Sequence, residues 1–243
     1  MEEQHCMCAK VSEKDPRLDV KDIRYPGETG DVLAHQAVPK GSGKLPCVIV
    51  IHENRGLNPH TEDVARRAAL EGFLALAPNA LSPLGGTPGD VDEARSLMQK
   101  LDAQKTVKNF VAAVKYLKTH PRSTGRVGVT GFCWGGGVTN QVAVNSPDVQ
   151  AAAPFYGMQP EPEDVPRIKA SLLLHYAEDD ERINAGIPRF EAALRKAGVD
   201  YKIYVYKGTK HAFFNDTGPR YDEEASRLAW SRTMSFFKEK LKA

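Results

Sequence analysis

The sequence predicts an α/β fold, a mostly parallel central sheet with helices on both faces, and three observations predict it. Short β-branched runs alternate with stretches of helical periodicity along most of the chain. The run from Leu45 to His52 is continuously apolar, as strands buried on both faces are. Glycine or proline closes unit after unit, the punctuation expected of repeated βαβ connections. At 243 residues the chain fits one domain, 1–243, opening with an irregular polar segment over 1–30.

The elements follow in order. Two short strands are expected before Val38, then the Gly41-Ser42-Gly43 turn and the strand Leu45 to His52. A helix is expected from Thr61 to Glu71, stopped by Gly72, and a strand from Phe73 to Ala77, closed by Pro78. Past the loop Ser82 to Asp90, helical pattern resumes, with Val107, Phe110, Val111, Val114 and Leu117 on one face and an end before Pro121. Arg126 to Thr130 reads as a strand, Gly135 to Asn145 as a helix, and Gln150 to Tyr156 and Ser171 to Tyr176 as strands. Ala185 to Lys196 reads as a helix capped by Gly198, Tyr201 to Tyr206 as the last strand, and Leu228, Met234, Phe237 and Leu241 as one face of a closing helix.

Composition excludes several function classes. Hydrophobic residues make up 41% and charged residues 26%, and 33 basic side chains balance 31 acidic ones to a net charge of +2. No basic stripe marks a nucleic-acid partner, and no apolar stretch is long enough to span a membrane. The four cysteines, Cys6, Cys8, Cys47 and Cys133, form no metal framework; Cys47 reads as a small core residue and the first two as free thiols near the N-terminus. Free thiols without a signal peptide point to the cytoplasm, and a monomer or small homo-oligomer is expected.

The most informative stretch is Val127-Gly128-Val129-Thr130-Gly131-Phe132-Cys133-Trp134-Gly135-Gly136-Gly137. A strand, then Gly-x-Cys-x-Gly, then a helix is the form of the α/β-hydrolase nucleophile elbow, with cysteine in the serine's place. Gly131 and Gly135 remove side chains that would collide in a strained turn, and the helix N-terminus aimed at Cys133 is expected to lower its pKa. An elbow nucleophile needs an acid and then a base further along the chain. The acid lies among Glu178, Asp179, Asp180 and Glu181, at the end of a strand; the base is His211, which follows the last strand.

With these residues in view, the chain resembles the dienelactone hydrolase (carboxymethylenebutenolidase) family over nearly its whole length. The resemblance is carried by His52-Glu53-Asn54-Arg55-Gly56-Leu57, Gly72-Phe73-Leu74-Ala75-Leu76-Ala77-Pro78, Gly131-Phe132-Cys133-Trp134-Gly135-Gly136, Pro154-Phe155-Tyr156-Gly157 and His211-Ala212-Phe213-Phe214. It implies a Cys133–His211–Asp180 triad, with Asp179 as the fallback acid, and an oxyanion hole made by the backbone N–H groups of Asn54 and Trp134. It also implies that Glu53 approaches the thiol and gates its ionisation. His52-Glu53 begins a zinc-protease pattern that Gly56 breaks, so His52, like His175, reads as a structural histidine.

The implied reaction is hydrolysis of a small-molecule ester or lactone through a thioester, with no metal or organic cofactor. Where family members hold a substrate carboxylate with two arginines, this chain has Pro83 and Asn215, which leaves a neutral ester or an organophosphate triester open as substrates. Met158 to Pro166 is too short for a cap domain. Two other classes remain as alternatives, a non-catalytic ligand-binding protein on the same fold and a thiol redox sensor.

Overall fold

The structure, a computed structural model, describes residues 10–242. Cys6 and Cys8 lie outside the described residues. Eight strands form one sheet: β1 (Leu18–Gly27), β2 (Gly30–Pro39), β3 (Leu45–Ile51), β4 (Leu74–Pro78), β5 (Ser123–Phe132), β6 (Val149–Phe155), β7 (Ser171–Asp179) and β8 (Tyr201–Lys210). Their order is β1-β2-β4-β3-β5-β6-β7-β8; β3 to β8 are parallel, and β2 alone runs against its neighbours.

The alternation within β3 shows how the sheet divides the core. Cys47, Ile49 and Ile51 join the cluster on one face, Val48 and Val50 the cluster on the other. The first face is covered by α2 (Val91–Met98), α3 (Ala103–Thr119), α4 (Trp134–Asn145) and α6 (Ile187–Ala197). The second is covered by α1 (Pro59–Leu70) and α7 (Glu223–Lys240). A single turn, α5 (Glu181–Asn184), follows β7 directly. Between β6 and β7 there is only one 3-10 turn, Val165–Arg167, and no cap stands over the sheet. No helix among the described residues is long and apolar enough to cross a membrane.

Four expectations need correction. The polar stretch before residue 30 is not all irregular: β1 is a ten-residue edge strand paired with β2, and its polarity reflects the open face of an edge. The helical pattern after Asp90 is two helices, because Asp102 caps α3 by accepting from the Lys105 N–H at 2.9 Å. The helix expected from Ala185 begins at Ile187 as α6, and a separate turn, α5, precedes it. Leu228 is 45% exposed; the buried stripe of α7 runs through Ser226, Ala229, Trp230, Thr233, Met234 and Phe237, centred about 170° around the helix from it.

The loop after β8 is tied to α1 by charge. Asp216 accepts from His60 Nδ1 at 3.0 Å and from Arg67 Nη2 at 2.6 Å, and Arg67 also meets Asp63, which accepts from the Val11 N–H at 2.6 Å. The hydrogen bond from His60, then Arg67, holds the Asp216 carboxyl well below the usual carboxylate range against the effect of partial burial.

Truncating Phe237, which is 0% exposed, to alanine should lower unfolding free energy by about 3–5 kcal/mol in urea melts, whereas Leu228→Ala should change it by less than ~0.5 kcal/mol. For Asp216 the folded carboxyl titrates below the unfolded one. Its contribution is therefore complete above about pH 4–5 and lost as pH falls further. Asp216→Asn should cost about 1–3 kcal/mol at neutral pH and flatten the acid limb of the stability curve, as thermal melts across the acid range would register.

Candidate active site

Parallel register gathers the candidate residues at one end of the sheet. Ile51 pairs with Gly131, so two residues further along each chain Glu53 and Cys133 follow from neighbouring strand ends. Phe132 pairs with Phe155, so Cys133 and Tyr156 follow likewise. Asp179 pairs with Lys210, so the next residues, Asp180 and His211, emerge side by side. The C-terminal ends of parallel strands are where α/β folds place ligands.

Cys133 sits between β5 and α4 with φ 58°, a left-handed conformation that only close packing sustains in a residue with a side chain. A Cβ on Gly131 would overlap the Gly135 carbonyl, and one on Gly135 would overlap the His52 carbonyl. The Cys133 carbonyl accepts from the N–H groups of Gly136 and Gly137 at 3.0 and 3.2 Å, and its own N–H donates to the Phe155 carbonyl at 3.1 Å. The first helical amide, that of Trp134, lies against the sulfur and favours its ionised form. Asn54 is exposed in the loop after β3 and lines the same cavity as Cys133 and Trp134.

Against the expectation of a depressed thiol pKa, Cys133 is pushed up to about 11. Burial is the largest cause and the nearby Glu53 carboxylate the second; both outweigh the Trp134 amide and the Arg182 charge, which pull the other way. The resting sulfur therefore has surroundings that favour the neutral thiol over the thiolate. It makes no hydrogen bond to His211 in this structure.

Glu53 is 7% exposed. One oxygen accepts from Asn215 Nδ2 at 3.0 Å, while the other, Oε1, is buried with no hydrogen-bond partner among the described residues. Arg55 is exposed, and among the described residues no ion pair joins it to Glu53. Asn215 is thus a site residue whose part the sequence left unread; its amide holds the buried carboxylate while its Oδ1 accepts from the Thr217 N–H at 3.0 Å. Pro83 lies in the 3-10 turn Ser82–Leu84.

His211 donates through Nδ1 to Asp180 Oδ2 at 2.5 Å, and Asp180 is 8% exposed; Asp179 is exposed and makes no such bond. The acidic turn and the base loop are also joined by Gly208 N–H donating to Glu178 Oε2 at 2.8 Å. Behind His211, Phe213 and Phe214 are fully buried, and Phe214 stacks on Phe132, the residue before Cys133, at 4.8 Å. Tyr156, with φ 36° and a buried hydroxyl lacking a hydrogen-bond partner, sets its ring 4.9 Å from that of His211. Its signal was the Phe155-Tyr156-Gly157 run after β6, to which sequence reasoning attached no role.

The remaining expectations are resolved by their surroundings. His52 donates from Nδ1 to the Glu53 carbonyl at 2.6 Å and accepts the Ala80 N–H on Nε2, and burial lowers its pKa to about 4. His175 is bonded to Tyr206 and Thr233 and lowered to about 3 by burial, so both are neutral and satisfied. Cys47 is fully buried beside Ser123 and pushed up to about 11 by burial. Among the described residues no three His, Cys, Asp or Glu side chains come together as metal ligands.

Comparison with known proteins places this geometry. A protein of Saccharolobus solfataricus named "Putative carboxymethylenebutenolidase" is 33% identical, the match covering 90% of this chain and 98% of that one. Protein usf of Aquifex pyrophilus is 37% identical over 86% of this chain and 94% of its own. Among solved structures, a Klebsiella pneumoniae protein described as a "Putative Dienelactone Hydrolase" superposes with a TM-score of 0.82 at 28% identity, covering 91% and 99% of the two chains. A dienelactone hydrolase-like promiscuous phosphotriesterase from metagenomic libraries also superposes with a TM-score of 0.82, at 25% identity over 93% and 100%. The dienelactone hydrolase family model matches residues 32–241, which takes in β3 to β8 and the residues gathered at their ends, and the chain belongs to the dienelactone hydrolase family of α/β-hydrolases.

Proposed function

We propose that the chain hydrolyses small carboxylic esters or lactones with Cys133 as nucleophile, His211 as general base and acid, and Asp180 as the group that orients His211. The observation that carries this reading is the left-handed Cys133 at the β5–α4 junction, its sulfur against a free helix amide. In the first half-reaction His211 takes the thiol proton while sulfur bonds to the carbonyl carbon, and the oxyanion rests on the Trp134 and Asn54 N–H groups. The carbonyl re-forms as the carbon–oxygen bond breaks, and His211 returns the proton to the leaving alkoxide. Water, deprotonated by His211, then splits the thioester to release the acid and restore the thiol. Amides should react poorly, since the thiolate leaves the tetrahedral adduct more readily than an amine does.

Glu53 is the proposed gate. Its carboxylate opposes ionisation of the thiol at rest, and its free Oε1 leaves it a single side-chain tether, Asn215, to release when substrate enters. The reading of a carboxylic ester over a phosphate triester is tested by assaying both, because the metagenomic relative is described as a phosphotriesterase.

Cys133→Ala should reduce turnover of para-nitrophenyl acetate at least ~10³-fold with an unchanged far-UV spectrum; full activity in that variant removes the nucleophile assignment. Asp180→Asn should reduce turnover by ~10³–10⁴-fold through the wrong imidazole tautomer, whereas Asp179→Asn should retain most of it, and the reverse pattern would move the role by one residue. Glu53→Gln should lower the Cys133 pKa from about 11 and speed iodoacetamide alkylation of the free enzyme at neutral pH, measured by mass spectrometry. An unchanged alkylation profile would leave Glu53 as a loop anchor only.

A further inference from the structure

The cavity beside Cys133 holds about 470 Å³ and is walled mainly by apolar side chains, among them Met98, Leu101, Val107, Val138 and Ile183. Arg182, its one charged lining residue, is an exposed side chain. Along α4 the wall runs from Cys133 to Gln141, about 12 Å of helix rise. Asn54 and Trp134, whose amides are assigned to the oxyanion, line it together with Cys133, whereas His211 and the residues that follow it do not. That asymmetry decides which half of an ester enters. In the tetrahedral adduct the carbon carries the sulfur, the oxyanion, the acyl substituent and the leaving oxygen. The leaving oxygen must face His211 to receive its proton, so the alcohol half lies on the His211 side. The substituent left for the cavity is the acyl chain.

Gly137 lies in the same wall and, unlike the other glycines of the elbow, is not required by packing. A Cβ on Gly131, Gly135 or Gly136 would overlap backbone atoms at 2.3–2.4 Å, whereas one on Gly137 would make only ordinary contacts, the nearest 3.4 Å from the Met158 nitrogen. Its backbone has no need of glycine either, being regular helix with the N–H donated to the Cys133 carbonyl and no positive φ. Glycine inside a helix weakens it relative to alanine. What the missing side chain does provide is room, one turn along α4 from Cys133. We propose that this cavity is the acyl pocket of the site, that it takes an unbranched aliphatic acyl chain, and that Gly137 is the specificity-determining residue that keeps it open. The inference rests on the esterase reading of the same site and adds which half of the ester is bound and its chemical kind. Each methylene drawn from water onto Met98, Leu101, Val107 and Val138 favours binding, whereas the alcohol half lies outside this wall.

Methyl octanoate and heptyl acetate are isomers with the heptyl and methyl groups exchanged across the ester, so the ratio of their kcat/KM values cancels general hydrophobicity. Wild type should favour methyl octanoate at least about tenfold, as pH-stat titration of the released acid would record. Gly137→Leu should lower that ratio at least about tenfold. Gly137→Ala should lower it less and raise Tm by about 1–3 °C, as at a helical glycine that packing does not require. A wild type that does not discriminate, or that prefers heptyl acetate, removes the acyl pocket while leaving the esterase intact. A ratio that Gly137→Leu leaves within about twofold of wild type removes the role of Gly137, and a Gly137→Ala variant that melts below wild type makes that glycine a packing residue instead. If wild type cleaves neither ester, the esterase reading falls separately. The isomeric amides N-methyloctanamide and N-heptylacetamide, titrated by tryptophan fluorescence with Trp134 in the cavity wall, then decide the pocket by the same ratio in Kd. Equal Kd values in wild type, or a ratio unmoved by Gly137→Leu, overturn it.

Discussion

The site depends on one close packing, that of the elbow between β5 and α4 against the ends of β3 and β6. Holding Cys133 at φ 58° costs about 1–3 kcal/mol, and nothing in the residue itself favours it. The conformation persists because α4 lies so near the sheet that Gly135 touches the His52 carbonyl and Gly136 the Phe155 carbonyl. A side chain at either position would force the helix off the sheet, and the sulfur, the Trp134 amide and the Asn54 loop would no longer share a cavity. The strain is thus supported by contacts of the backbone, which no adjustment of rotamers can relieve.

The electrostatics run against the elbow's own tendency. A helix N-terminus favours a thiolate, yet burial and the Glu53 carboxylate leave the sulfur protonated. A buried carboxylate with one empty oxygen is itself unfavourable, by about 1–3 kcal/mol for the missing partner, so its position beside the thiol is maintained by the surrounding fold and by Asn215. Tyr156 repeats the pattern, a buried hydroxyl next to the same two groups whose ionisation burial and the Glu53 carboxylate oppose. A carboxylate and a hydroxyl short of hydrogen bonds beside one strained residue mark a place shaped for something other than stability.

How much of this was legible from residues varies with the range of the interaction. The elbow could be read because Gly131, Cys133 and Gly135 meet across a few bonds, and β3 because burial on both faces demands an unbroken apolar run. The choice between Asp179 and Asp180 depends on the β7–β8 register, a long-range property that consecutive carboxylates cannot reveal. The edge strand β1 was hidden because half of it faces water and loses the apolar signature. The opposing pulls of the helix N-terminus and of Glu53 on the thiol were legible, whereas burial by distant elements, the largest cause, was not. Asn215 could be seen only as an absent arginine, since its partner Glu53 lies 162 residues away in sequence.

The proposed catalytic groups and most of the cavity wall come from different kinds of element. Glu53, Cys133, Tyr156, Asp180 and His211 follow strand ends fixed by the parallel register, and the aromatic contact of Phe214 with Phe132 ties the base loop to the elbow. The cavity beside Cys133 is bounded by α2, α3, the segment after β6 and α5 together with Trp134, Gly137, Val138 and Gln141 of α4, none of which takes part in the sheet. Side chains on those helices can change without disturbing strand register or the glycine contacts of the elbow. Variation at the rim, with the strand register and the elbow held fixed, lets a fold of this kind serve different ligands.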